Sequence, residues 1–249
     1  MAASYYPSED LHLNISRGLV KGTLAVHKFG AVPAMSQSTT GTIWDVNDTP
    51  YPWDAFAGPG PLTIATTTLN GAASTLDDGV IVTVIGLDEN YNETQEDISI
   101  VGSSGAGTVP FIRVYRAFTN VTNQAQVRVS TTQGTPTEVL RINIGLSQTL
   151  MAIYTVPDGY DAFLMQDTAS IQAGGDATIN MHIRYAGQQS FRIGHTAEVA
   201  GTGMPYKYEF TCPIKIPARS DIDIRASVRS NNARVTAAFD LVLIKQGLA

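Results

Sequence analysis

Apolar and polar residues alternate with the period of a strand along much of this chain. Val80 to Leu87 places Val80, Val82, Val84 and Gly86 on one face and Ile81, Thr83, Ile85 and Leu87 on the other. Both faces are largely apolar, which predicts a strand covered on two sides. The polar turn Asp88-Glu89-Asn90-Tyr91-Asn92-Glu93 leads to a partner strand at 97–101. Strands are also predicted at 19–29, 62–69, 108–115 and 125–130. A second series follows at 139–144, 150–156, 160–169, 178–185, 189–193, 207–216, 221–228 and 235–244. The clearest is 221–228, where Ile222, Ile224, Ala226 and Val228 point inward while Asp221, Asp223, Arg225 and Ser227 point to solvent. Turns with a physical basis separate these runs, since proline fixes φ in Val156-Pro157-Asp158-Gly159 and glycine or asparagine accepts positive φ. The pattern predicts no helix of normal length.

The expected fold is all-β, with two tandem β-sandwich domains of which the second, built from eight strands, is jelly-roll-like. Residues 1–16 read as an extended N-terminal arm, 17–134 as the first sandwich and 135–249 as the second. The junction is placed at Gly134-Thr135-Pro136-Thr137, so that 136–249 is expected to fold alone.

Composition narrows the function classes. Charged residues make up 15% of the 249, against a usual share of about 25%, and Thr, Ser, Asn, Gln and Gly take their place. These residues suit sheet surfaces and turns. A net charge of −6 gives no basic footprint for nucleic acid. No apolar run approaches the ~20 residues that span a bilayer, and the first residues do not read as a signal peptide. The expectation is a protein made in a host cytoplasm, without nucleic-acid or membrane partners. Cys212 is the only cysteine and reads as a packed core thiol.

Catalytic constellations are not found, and the expectation is a non-enzyme without cofactor or metal. His12, His27, His182 and His195 are mutually isolated and lack metal-ligand spacing. The turn starting at Asp88 offers Asp88, Asn90 and Asn92 as in a calcium loop, but Glu93 stands where glycine is needed and Ser99 where a bidentate glutamate is needed. A solvated hairpin is the better reading. The other acids fall in turns (Asp77, Asp78) or on the outward phase of a strand (Asp221, Asp223), as solubilising positions. Two features point to partners. Tyr5 and Tyr6 on the arm are suited to anchoring. Trp44, Trp53 and Phe56 lie in a long loop with Asp45, Asp48 and Asp54, where they either pack into a core or contact, or stack on a host glycan.

Two stretches carry a resemblance. One runs Val84-Ile85-Gly86-Leu87-Asp88-Glu89-Asn90-Tyr91-Asn92-Glu93, through Ile98-Ser99-Ile100, to Phe111-Ile112-Arg113-Val114-Tyr115-Arg116-Ala117. The other is Ser147-Gln148-Thr149-Leu150-Met151-Ala152-Ile153-Tyr154-Thr155-Val156-Pro157-Asp158-Gly159. With the run from Ser16-Arg17-Gly18 to His27-Lys28-Phe29-Gly30, the chain resembles virion structural proteins of tailed bacteriophages. The resemblance implies a virion location and a non-enzymatic role as a capsid decoration or cement, a neck or tail adaptor, or a fibre. Its partners would be other capsid or tail proteins. A cyclic homo-oligomer is expected, with a trimer slightly favoured, because few charges and many sheet edges call for closure. The alternative is a carbohydrate-binding module that contacts the host receptor.

Overall fold

The computed structural model describes residues 10–172, 175–201 and 205–247. The described residues open on a short helix, α1 (Leu11–Ser16), within the span 1–16 that was expected to be an extended arm. The Asp10 carboxylate accepts from the backbone N–H of His12 and Leu13, which satisfies donors that a helix start leaves open. Ile15 is buried beneath it.

Two strands follow, β1 (Thr23–Met35) and β2 (Thr40–Thr42). The chain then leaves for a separate sandwich of seven strands. These are β3 (Leu62–Thr67), β4 (Ile81–Leu87), β5 (Glu93–Ser99), β6 (Ser104–Ala106), β7 (Arg113–Thr119), β8 (Gln126–Thr131) and β9 (Glu138–Ile142). It returns for β10 (Ile153–Thr155), β11 (Tyr160–Ile171), β12 (Asp176–Arg184), β13 (Arg192–Ala200), β14 (Tyr206–Ile216), β15 (Asp221–Val228) and β16 (Ala233–Lys245).

The later strands complete a jelly roll with the first two. One sheet has the order β1-β16-β11-β14 and the other β10-β15-β12-β13, with β2 also on β15. That is the double Greek-key order of a two-sheet jelly roll. Ile179, Met181, Ile224, Ala169 and Ala237 meet between the sheets. The inserted sandwich pairs β6-β3-β8-β9 with β5-β4-β7, over a core that includes Leu62, Val84, Phe111, Val129 and Leu140.

The domain boundaries therefore differ from 17–134 and 135–249. Gly134–Thr137 is the tip of the β8–β9 hairpin inside one sheet, closed by Thr131 N–H donating to the Thr137 carbonyl at 3.0 Å. β1 pairs with β16 along most of its length, from Thr23 opposite Ile244 to Val32 opposite Val235. The first sandwich is an insertion into the second, and a fragment starting at residue 136 would lack β1 and β2.

The insertion departs from a split strand. β10 pairs with residues 221–223 of β15, and β2 pairs with 225–227 of the same edge. Ile43 and Ala152 bridge the gap, for Ile43 N–H donates to the Ile224 carbonyl at 2.8 Å and Ala152 N–H to the Ile43 carbonyl at 2.9 Å. Gly30 of β1 lies against this crossing. A Cβ at Gly30 would stand 2.1 Å from the Ile43 carbonyl oxygen and 2.4 Å from the Ala152 nitrogen.

Two buried ionisable groups sit where the sandwiches join. The Lys28 ammonium donates to the Tyr115 carbonyl, and burial, then Arg116, lower its pKa to about 7. Burial raises the Asp45 carboxyl to about 8. From about pH 4 to pH 8 the folded chain holds the Asp45 proton that the unfolded chain has lost, so stability falls across that range. From about pH 7 to the ordinary lysine value of 10.5 the unfolded chain holds the Lys28 proton that the folded chain has lost, so stability rises. Urea midpoints measured from pH 5 to 10 should show a trough near pH 7–8. Asp45→Asn should remove the fall and Lys28→Met the rise; unchanged profiles would show that neither group causes the trough.

Candidate functional site

The outward face of β15 faces the insertion rather than solvent. Asp221 and Asp223, expected to be solvated, are 3% and 0% exposed. Period-two alternation places them opposite Ile222 and Ile224, as read from the sequence. What covers that phase is the loop after β2, together with Arg113 from β7.

Each carboxylate has a full set of donors. Asp221 Oδ1 accepts from Thr155 Oγ1 at 2.6 Å and Arg113 Nε at 3.0 Å. Its Oδ2 accepts from Arg184 Nη2 and Nε at 2.7 and 2.9 Å, and from Arg113 Nη2 at 3.3 Å. Arg184 stands directly opposite Asp221 in the β12–β15 ladder. Asp223 accepts from Thr42 Oγ1 at 2.7 Å, Trp53 Nε1 at 3.0 Å and Arg225 Nε at 2.8 Å. Burial opposes the Arg113 charge, but the Asp221 carboxylate outweighs it and holds the guanidinium pKa above its ordinary value. The network ties both edge segments, the aromatic loop and the insertion to one strand.

The aromatic loop is core at this junction. Trp44 and Trp53 are buried, and Trp44, Tyr51, Trp53 and Phe191 form a chain of ring contacts with centroids 4.8–5.6 Å apart. The guanidinium groups of Arg113 and Arg184 lie 5.7 and 5.6 Å from the Trp53 ring centroid. The side chain is 5% exposed, so it offers no free stacking platform. Phe56 is half-buried and reaches the surface of the cleft described next. Tyr5 and Tyr6 lie outside the described residues.

Above the network a cleft of about 550 Å³ opens between the sandwiches. Trp53, Asp54 and Phe56 come from the aromatic loop, Tyr91 and Arg113 from the insertion, and Arg184, Gln188, Gln189 and Arg219 from the jelly roll. The Tyr91 hairpin docks there, with Asp158 N–H donating to the Tyr91 carbonyl at 2.9 Å and Arg219 5.4 Å from the Tyr91 ring centroid. In that hairpin Asp88 Oδ1 accepts from Asn90 and Asn92 N–H, a turn closed by its own backbone. Sequence reasoning missed Arg113, Arg184 and Arg219, whose convergence depends on the insertion. The one local signal was the charge alternation Asp221, Asp223, Arg225 on a single strand.

Two other expectations change. Asp77 is buried and accepts from the backbone N–H of Gln124 and Ala125 at 2.7 and 2.9 Å, so it ties a turn together rather than solubilising it. Cys212 is exposed rather than packed. The β11–β14 register slips between Leu164 and Gln166, where Ile214 and Glu209 are successive partners, and residues 210–213 bulge out of the ladder. His182 is half-buried near Phe191 with its Nε2 unpartnered. Among the described residues, no group of three or more His, Cys, Asp or Glu could hold a metal ion. No described helix is long and apolar enough to cross a membrane.

No family model matches the chain, and no curated protein does. Among solved structures, the chain is weakly similar to two from infectious bursal disease virus. "Structure of infectious bursal disease virus Gx strain" aligns at 9% identity, over 91% of this chain and 73% of that one, with a TM-score of 0.25. "Crystal structure of infectious bursal disease virus VP2 subviral particle" aligns at 10% identity, over 92% and 73%, also with a TM-score of 0.25. A likeness at that level carries no inference on its own.

Proposed function

We propose that the chain is a non-enzymatic virion structural protein of the tailed-phage type, which attaches to the capsid or tail surface as a cement, adaptor or fibre component and works as a homo-oligomer. The observation that carries this reading is β14. A strand in a sandwich normally buries one of its faces. β14 runs eleven residues at a sheet edge, yet only Ile216 is buried. Tyr208 is 46% exposed, and Phe210 and Ile214 are only half-buried. Its neighbour at the same side of the jelly roll, β13, is also an edge strand and leaves Ile193 59% exposed. Two long exposed edges are a liability in a lone molecule and an asset where a neighbouring subunit covers them.

The resemblance in the 84–117 and 147–159 stretches supports a particle role, and the Thr- and Gly-rich, charge-poor composition is compatible with it. Light scattering across a dilution series should report an oligomer, with a trimer the expected mass. Ile193→Asp with Tyr208→Glu should shift it to monomer and abolish co-sedimentation with particles. Because both side chains lie on exposed edges, the thermal midpoint should hold. A wild-type monomer at every concentration that also fails to bind particles would end the proposal.

A further inference from the structure

We propose that the cleft between the two sandwiches binds an acidic saccharide, whose carboxylate meets Arg184 and Arg219 while a sugar ring packs against Phe56 and Tyr91. The inference does not rest on the virion assignment, since it concerns the purified chain alone.

Charge is the first argument. Arg113 and Arg184 share a single buried carboxylate, that of Asp221. The remaining partner of Arg184 is Asp54, at 3.4 Å, whose side chain is 98% exposed. A pair so hydrated contributes little. Arg219 adds a third guanidinium on the rim, held by Asp158 at 2.7 Å with both side chains about half exposed. The cleft therefore has more cation than well-seated anion. Asp54 stands where an incoming carboxylate could replace it on Arg184 Nη1, the nitrogen of that guanidinium that Asp221 leaves open.

Shape and polar capacity supply the second argument. A space of about 550 Å³ is of the size that takes a small ligand. Gln188 and Gln189 line it, and their side-chain amides make no hydrogen bond to the described residues. Amides pair with vicinal hydroxyls through both donor and acceptor. Phe56, Tyr91 and Tyr185 provide ring faces or edges beside them. Carboxylate, hydroxyls and an apolar ring face are together the features of a uronic- or sialic-type sugar.

Backbone conformation supplies the third. Tyr91 and Arg219 have φ of 62° and 63°, the left-handed region that non-glycine residues rarely adopt. They face each other across the cleft, one from each sandwich, in ring–guanidinium contact. Such conformations persist where the surroundings hold them in place, and they cluster at binding sites.

Calorimetry on the full chain with trigalacturonate, and with its neutral methyl ester as control, tests the proposal. The acid should bind, and the ester should bind about tenfold more weakly or not at all. Asp54→Asn removes the competing carboxylate and should tighten binding severalfold. Arg219→Asn, which tolerates the left-handed backbone, should weaken it about fivefold or more, and so should Phe56→Leu, which keeps the packing against the core but removes the ring face. Equal binding of acid and ester would overturn the proposal. So would no binding of trigalacturonate or sialyllactose at about 10 mM, or an Asp54→Asn variant no tighter than wild type. A glutamate-rich peptide that displaces the sugar and binds more tightly would also overturn it, and would assign the cleft to a protein partner.

Discussion

Asp221→Ala is expected to cost about 3–5 kcal/mol of folding free energy, the range for removing one partner from a buried ion pair. Two guanidinium groups depend on this carboxylate, Arg113 from the insertion and Arg184 from the jelly roll, and both are mostly buried. Without it each keeps its charge, because arginine does not lose its proton in a protein. The loss amounts to a large part of the whole stability of an ordinary domain, about 5–15 kcal/mol. Chemical denaturation should show the fall, and limited proteolysis should show new cleavage in the segments that join the insertion to the jelly roll. Asp221→Ala combined with Arg113→Met should recover part of the loss, since the second change removes one stranded cation. A near-neutral single variant would mean that the cleft is wet enough to solvate both arginines.

Gly30→Val should prevent folding of the jelly roll altogether. The contact that Gly30 makes is with backbone, the Ile43 carbonyl oxygen and the Ala152 nitrogen, so no side chain can rotate away. Those atoms also form the hydrogen bonds that close the split strand. Any Cβ must push β1 off the crossing or break it, and overpacking of this kind exceeds the usual cost of about 1–3 kcal/mol for an extra methylene. Expression of Gly30→Val should give insoluble protein, and Gly30→Ala a chain with a clearly lowered thermal midpoint. Gly71, with φ of 81° and open space around its Cβ position, is the control, where alanine meets no atom and should cost only the ~1–2 kcal/mol of a left-handed backbone. Equal effects at the two sites would remove the steric explanation.

Much of the all-β character was legible in the sequence, because period-two alternation and turn chemistry are local. Most strands after residue 62 fall within a few residues of their predicted places, and seven of the eight strands read into the second sandwich belong to the jelly roll, the eighth, 139–144, being β9 of the insertion. The insertion was not legible. Nothing in Thr23–Met35 marks it as the partner of Ala233–Lys245, since pairing between distant strands depends on the closed sheet and not on either segment's wording. For the same reason Gly134–Thr137, a tight turn, read as a boundary. The acids illustrate a second limit. Asp221 and Asp223 alternate with isoleucine as solvated residues do, and alternation reports which phase a side chain occupies without reporting what covers it. Cys212 marks a third, because a bulge in an edge strand interrupts the period from which its burial was inferred.

The pairing of β1 with β16 also sets an order of events during synthesis. Strands β3 to β9 pair with one another, and only a short bridge from Phe118 to Gln148 reaches past them, so most of the insertion can close while later residues are still being made. β1 leaves the ribosome earlier but finds its ladder partner only when the last strand is complete. Until then its apolar residues, Val32 and Met35 among them, have no sheet to join, and the split edge at β2 lacks β15. Contacts of such long sequence separation form slowly. The unfinished chain is thus a folded sandwich trailing an unpaired strand, a state in which chaperone binding or premature pairing with a sister chain competes with completion.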